Sequence, residues 1–175
     1  LGAKSQSYTV RTKEEIVVAA TNPDEAVLRG WLATMPREAR SKILAMATPA
    51  AFPAGTEIMR EGDHVDWFGI VTSGRIALQL SVSGRGQVTL ETVEVGEVFG
   101  LSALVPPHKA TTTAAAVADV DALVVDASAI RSLFEQDCEF AASVYFAVAR
   151  AFLGRLNAAH EALIDLSGGA SSTVP

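Results

Sequence analysis

The side chains equipped for chemistry are few in this sequence and stand apart. His64, His108 and His160 fall on three different expected elements, so the clustered imidazoles and carboxylates that hold a metal are missing. Cys138 is the single cysteine. It cannot form an internal disulfide, a redox CxxC pair or a four-thiolate cluster, and with no histidine near it in sequence it reads as a structural thiol. Ser83-Gly84-Arg85-Gly86 lacks the third glycine and the following helix of a dinucleotide-binding loop, which leaves a hairpin turn. No set of acid, base and nucleophile converges, so the expectation is a protein that binds and is not an enzyme, with no metal. The segment that breaks the rhythm of its surroundings is Gly100 to Val105, a mostly apolar sextet ending at Pro106-Pro107 and followed by the cationic His108 and Lys109.

Composition narrows the class. A chain of 175 residues, 49% hydrophobic and 19% charged, has the balance of one globular domain. Fourteen basic against twenty acidic residues give 14 − 20 = −6, a charge that repels a phosphate backbone, so DNA is not an expected partner. Asp119, Asp121 and Asp126 interrupt the most hydrophobic region, so no membrane span is expected either. The apolar run Ile16 to Ala20 is too short for a secretory signal and follows Glu14 and Glu15. With one cysteine, the chain reads as cytoplasmic.

The elements that position these residues follow from periodicity. Residues 1–24 read equally as a peripheral strand, a short helix or a tail packed on a partner. Leu28, Trp31 and Leu32 recur at helical spacing, and a second helix begins near Pro36 with Ile43, Leu44 and Met46 as its buried face. After Phe52-Pro53-Ala54-Gly55 the period shortens. Strands are expected over Glu57–Arg60, Phe68–Thr72, Ile76–Val82, Val88–Val93, Glu97–Phe99, Thr111–Val117 and Asp121–Asp126, with glycine turns between them. The pattern is mainly β with flanking helices, a jelly-roll-like β-roll. Helix returns at Ala127–Phe134 and then from about Glu139 to Leu166, a length on the order of 40 Å. On it Tyr145, Ala149, Phe152, Leu156, Ala159, Leu163 and Leu166 step by fours and threes, the spacing of a coiled-coil seam, so a homodimer through the 139–166 helix is expected. Residues 167–175 read as a flexible tail.

Three separated motifs appear in order: Phe52-Pro53-Ala54-Gly55-x-Glu57-Ile58-x-x-Glu61-Gly62-Asp63, then Ile70-x-x-x-Gly74-Arg75-Ile76, then Gly96-Glu97-Val98-Phe99-Gly100. Together they resemble the cyclic nucleotide-binding domain of bacterial catabolite-activator-type proteins, over about Trp31 to Leu166. The resemblance implies a double-stranded β-helix with N-terminal helices and a long C-terminal helix, one domain over 25–166. It also implies that a short helix after Phe99-Gly100, the phosphate-binding cassette, receives a cyclic phosphate on its backbone N–H groups. The candidate ligand-binding residues are therefore Phe99, Gly100, Leu101, Ser102, Ala103, His108, Lys109, Thr111 and His160, and the implied ligand is cyclic AMP or cyclic GMP.

The cassette departs from the family pattern. The family has a Glu for the ribose where this chain has Leu101. Its phosphate-pairing Arg falls near Ala110 or Thr111, and no Arg occurs between Gly100 and Ile130. His108 and Lys109 are the nearby cations, and a lysine lacks the bidentate fork. The hydroxyl pair that meets the purine maps to Ala159 and His160. Two functions follow. One is a regulatory cyclic nucleotide-type binding module, similar to stand-alone members through Ser102–Pro107, with only Ser167 to Pro175 after the helix and so no DNA-reading domain of its own. The other is a degenerate fold that serves as a protein-interaction or assembly domain. Ser102 and Thr111 favour the first; Leu101 and the missing Arg favour the second.

Overall fold

The structure, a computed structural model, describes residues 25–168. The N-terminal segment 1–24 and residues 169–175 of the expected tail lie outside the described residues. Helix α1 (Glu25–Arg29), a 3-10 turn (Trp31–Thr34) and α2 (Arg37–Ala45) precede eight strands. The strands are β1 (Thr48–Phe52), β2 (Glu57–Met59), β3 (Trp67–Ser73), β4 (Ile76–Val82), β5 (Gly86–Val93), β6 (Val98–Phe99), β7 (Thr113–Ala116) and β8 (Val120–Asp126). A second 3-10 turn (Leu101–Leu104) sits between β6 and β7, and α3 (Ala127–Phe134) and α4 (Cys138–Gly168) follow β8.

Two four-stranded antiparallel sheets, ordered β1-β8-β3-β6 and β2-β7-β4-β5, form the expected β-roll. Strand β1 is the one that the sequence does not announce, because Pro49 and two alanines carry no strand signal. It forms as a sheet edge on β8, from Thr48 opposite Val124 to Phe52 opposite Val120, and an edge tolerates the missing proline N–H.

Strand β3 is the centre of the core. Four consecutive residues, Phe68 to Val71, are buried, as a strand covered on both faces requires. On one side the Trp31 ring meets Phe68 edge-on at 5.8 Å. On the other, the Phe99 ring lies directly over Gly69, where an added Cβ would come within 2.4 Å of Cζ. Helix α4 buries Phe140, Val144, Ala147 and Val148 against this core, and the Trp31 indole N–H donates to the Ala147 carbonyl at 3.2 Å. Lys42 of α2 pairs with Asp137 just before α4 at 2.7 Å, an ion pair that raises the lysine pKa and lowers that of the carboxylate.

The anchoring of α4 rotates its exposed face from the expected seam. Phe152 packs on the core, and the exposed large apolar residues are Tyr145, Phe146, Leu153, Leu156, Leu163 and Ile164. Burial of Val144 and Val148 fixes the helix rotation, and at about 100° per residue that leaves Phe152 at the margin. The side chain of Leu166 lies outside the described residues.

Asp126 caps α3. Its Oδ1 accepts from the Ser128 N–H at 2.7 Å, the Ser128 hydroxyl at 2.6 Å and the Ala129 N–H at 3.3 Å. These bonds, the Ser128 hydroxyl foremost, hold the Asp126 pKa below the ordinary carboxylate value. Replacing Asp126 with Ala is expected to cost about 1 kcal/mol at neutral pH. A folded-state pKa below the unfolded value of about 3.9 stabilises above that pH and is lost as pH falls through the folded pKa. Urea unfolding at pH 7 should therefore separate the two proteins, and the gap should narrow in strong acid.

Candidate functional site

The segment singled out by its sequence is a buried turn. Strand β6 pairs through Phe99 with Gly69 of β3 and delivers the chain to Gly100, which adopts φ 74° and ψ 17°. A side chain here would be strained by the left-handed backbone, and its Cβ would lie 2.6 Å from Met59 Cε and 3.1 Å from the Trp67 carbonyl oxygen. Leu101 to Leu104 then wind one 3-10 turn, closed by Ala103 N–H donating to the Gly100 carbonyl at 3.0 Å and Val105 N–H to the Ser102 carbonyl at 3.2 Å. All four residues are buried.

This burial decides what the turn offers to a ligand. Leu101, at the position of the family's ribose carboxylate, is 0% exposed and belongs to the hydrophobic core. Of the two residues where the resemblance puts the arginine, Thr111 is exposed and Ala110 is 8% exposed and held at both backbone groups: its N–H donates to the Asp63 carbonyl at 2.9 Å and its carbonyl accepts from Gly62 N–H at 2.8 Å. The Ala103 amide is committed to Gly100, and the terminal methyl of Met59 covers the start of the turn. These residues do not fit a cyclic nucleotide held by charge-assisted contacts to ribose and phosphate.

The remaining predicted site residues scatter. Lys109 and Thr111 are exposed, and the buried hydroxyl in this stretch is that of Thr113, whose Oγ1 accepts from Glu61 N–H at 3.1 Å. Lys109 forms an isolated β-bridge with His64. His108 has a left-handed backbone at φ 58°, its ring lies 6.2 Å from that of His64, and its Nδ1 is buried with no hydrogen-bond partner among the described residues. His160 is exposed on α4. Phe99 is a core residue whose ring meets Phe52 and Trp67 edge-on.

Two arginines that sequence reasoning passed over hold the region together. Arg131 of α3 donates to the carbonyl of Ala103 within the turn and lies 3.8 Å from Asp66. Arg155 of α4, with its side chain 20% exposed, donates to Glu91 at 3.3 Å and to the carbonyl of Val98, two residues before Gly100. Burial lowers the Arg155 pKa from its ordinary value, and Glu91 and Glu97 oppose that shift. Neither arginine had a sequence signal, because each partner is remote in the chain. A groove of about 460 Å³ runs beside Arg60, His64 and Trp67, and a cleft of about 260 Å³ lies beside α4; no residue of the turn lines either. Among the described residues no group of His, Cys, Asp and Glu could hold a metal, and no helix is long and apolar enough to cross a membrane.

The cyclic nucleotide-binding domain family matches residues 49–137, and the chain belongs to that family. Its fold is similar to that of a cyclic nucleotide-binding domain from Methylobacillus flagellatus, with a TM-score of 0.72 at 15% identity over 84% of this chain and 85% of the other. The N-terminal domain of a transcriptional regulator from Streptomyces coelicolor gives 0.62 at 24% identity, over 75% and 94%. The catabolite activator protein of Thermus thermophilus gives 0.60 at 25% identity, with 81% of this chain covering 63% of that one. Among curated proteins none matches the chain.

Arg131 supplies the testable link. Removing a charged donor from the buried Ala103 carbonyl removes about 1.5–3 kcal/mol of local stability. In Arg131→Gln, amide exchange at Ala103 and Val105 should quicken roughly 10- to 100-fold, while amides in β4 and β5 keep wild-type rates. Unchanged exchange at the turn would remove Arg131 from this role.

Proposed function

We propose that this chain is a non-catalytic regulatory module of the cytoplasm in which the cassette turn serves as a packed structural element and binds cyclic nucleotides weakly. The observation that carries this reading is Leu101, fully buried where the family pattern calls for a carboxylate. Two charge-assisted contacts, each contributing roughly 1.5–3 kcal/mol, are absent, which lowers affinity by about two to four orders of magnitude relative to a complete cassette. The net charge of −6 supports a module that does not itself grip DNA.

Titration calorimetry with cyclic AMP and cyclic GMP tests the reading. The expected result is no binding tighter than about 10 µM for either nucleotide. A submicromolar dissociation constant would sink it. Introducing Leu101→Glu should not rescue affinity, since it places a carboxylate among core side chains at a cost of several kcal/mol.

A second reading concerns the partner. The outward face of α4 exposes Phe146, Leu153, Leu156 and Leu163, with Tyr145 beside them against the Phe134 ring, more large apolar side chains than one exposed helix face keeps in water. We infer that a second copy covers them, since Phe146, Ala149, Leu153, Leu156, His160 and Leu163 step by alternating threes and fours. Sedimentation at tens of micromolar, a working range for such interfaces, should give a dimer. Leu156→Asp, at a position 51% exposed, should weaken it at least about 100-fold. A monomeric parent chain would refute the dimer.

A further inference from the structure

We propose that the 260 Å³ cleft between α4, the first 3-10 turn and strands β5 and β6 is a binding site for a small organic monocarboxylate. The site is separate from the cassette turn, so the inference stands whether or not a cyclic nucleotide binds.

The first observation is Gly154. Glycine is among the poorest residues inside a helix, and here it lies in the middle of a 31-residue one. A packing need would excuse it, yet a Cβ at Gly154 would meet nothing within 4 Å. The missing side chain instead enlarges the cleft, which Gly154 lines. The second observation is charge. Arg155 and Glu91 also line the cleft and neutralise one another at 3.3 Å. Glu97 accepts from the Glu94 N–H at 2.8 Å. Arg150 lines the cleft too, and no ion pair is formed by it among the described residues. An unpaired guanidinium is a ready fork for a carboxylate.

The same balance sets the ligand class. With Arg150 the one unneutralised cation of the lining and Glu97 close by, a single negative charge suits the site and a dianion such as phosphate is repelled. Trp31, Val93 and Ala151 add an apolar wall for a hydrocarbon body. The volume lies just below that of pockets for drug-sized ligands, which suits a ligand about the size of one ring with a short acid arm. At about 100° per residue, Ala151 and Gly154 lie on the side of α4 away from Leu156 and Leu163, and Arg150 lies between Gly154 and the exposed Phe146.

Trp31 reports on occupancy, because its ring lines the cleft while Trp67 lines the other groove. The test is a titration of the full ¹⁵N-labelled chain with 3-phenylpropionate, following both indole N–H resonances. The Trp31 signal should shift with half-saturation on the order of 0.1–1 mM, and the Trp67 signal should stay in place. The neutral 3-phenylpropanamide and inorganic phosphate should each bind at least about tenfold more weakly, as should 3-phenylpropionate to Arg150→Gln. Gly154→Leu should abolish binding while its melting temperature holds or rises, since leucine is the better helix former. The proposal is overturned if no Trp31 shift appears by about 10 mM, a concentration well above that range. It is equally overturned if the amide or phosphate matches the acid, or if folded Gly154→Leu still binds.

Discussion

The turn after Gly100 is driven into the hydrophobic core, and much of the molecule is arranged to permit this. A buried segment of chain carries backbone donors and acceptors that water can no longer reach, so each needs a partner inside. The 3-10 bonds satisfy part of that demand, and the Arg131 guanidinium answers the Ala103 carbonyl. Arg131 is in turn aimed by α3, whose start is fixed by the Asp126 cap. On the other side the turn needs room, and the two glycines Gly69 and Gly100 supply it for Phe99 and for Met59 with the Trp67 carbonyl.

This arrangement ties the long helix to the turn through a second arginine. Arg155 reaches from α4 to the carbonyl of Val98, in the strand that feeds Gly100. A buried cation is costly unless paired, and Glu91 provides the pairing. Any displacement of α4 therefore has to break a charged contact next to the turn, or carry strand β6 with it. That is the physical form in which a helix position and a turn position are coupled in this fold, with no ligand required to explain either arginine.

Helix α4 thus has three differently occupied sides. One is buried in the β-roll through Val144 and Val148, one carries exposed apolar side chains, and one borders a cleft with an unpaired Arg150. The rotation that separates these sides comes from the buried one, because core burial contributes far more than any surface preference of an exposed residue. Phe152, which by spacing alone belongs to a seam, is drawn to the core for this reason.

Much of the architecture was legible in the amino-acid order. Strand β4 and helix α3 begin and end as periodicity predicts, because their apolar residues repeat with a single period and glycine or aspartate marks the ends. The position of the turn was legible too, since an apolar sextet after Phe99-Gly100 fits neither period. Strand β1 was not, because a proline and alanines form a strand only when β8 offers them an edge. Nor were the fates of the site residues. Thr111 and Thr113 are two residues apart with the same hydroxyl, and only the packing of β7 buries the second and leaves the first in water. The loss of Glu and Arg from the cassette could be read from sequence, but their replacement by core packing at Leu101 could not. Met59 and the Trp67 carbonyl reach the turn at Gly100 and Arg131 reaches it at Ala103, and local sequence carries no record of contacts between residues so far apart in the chain.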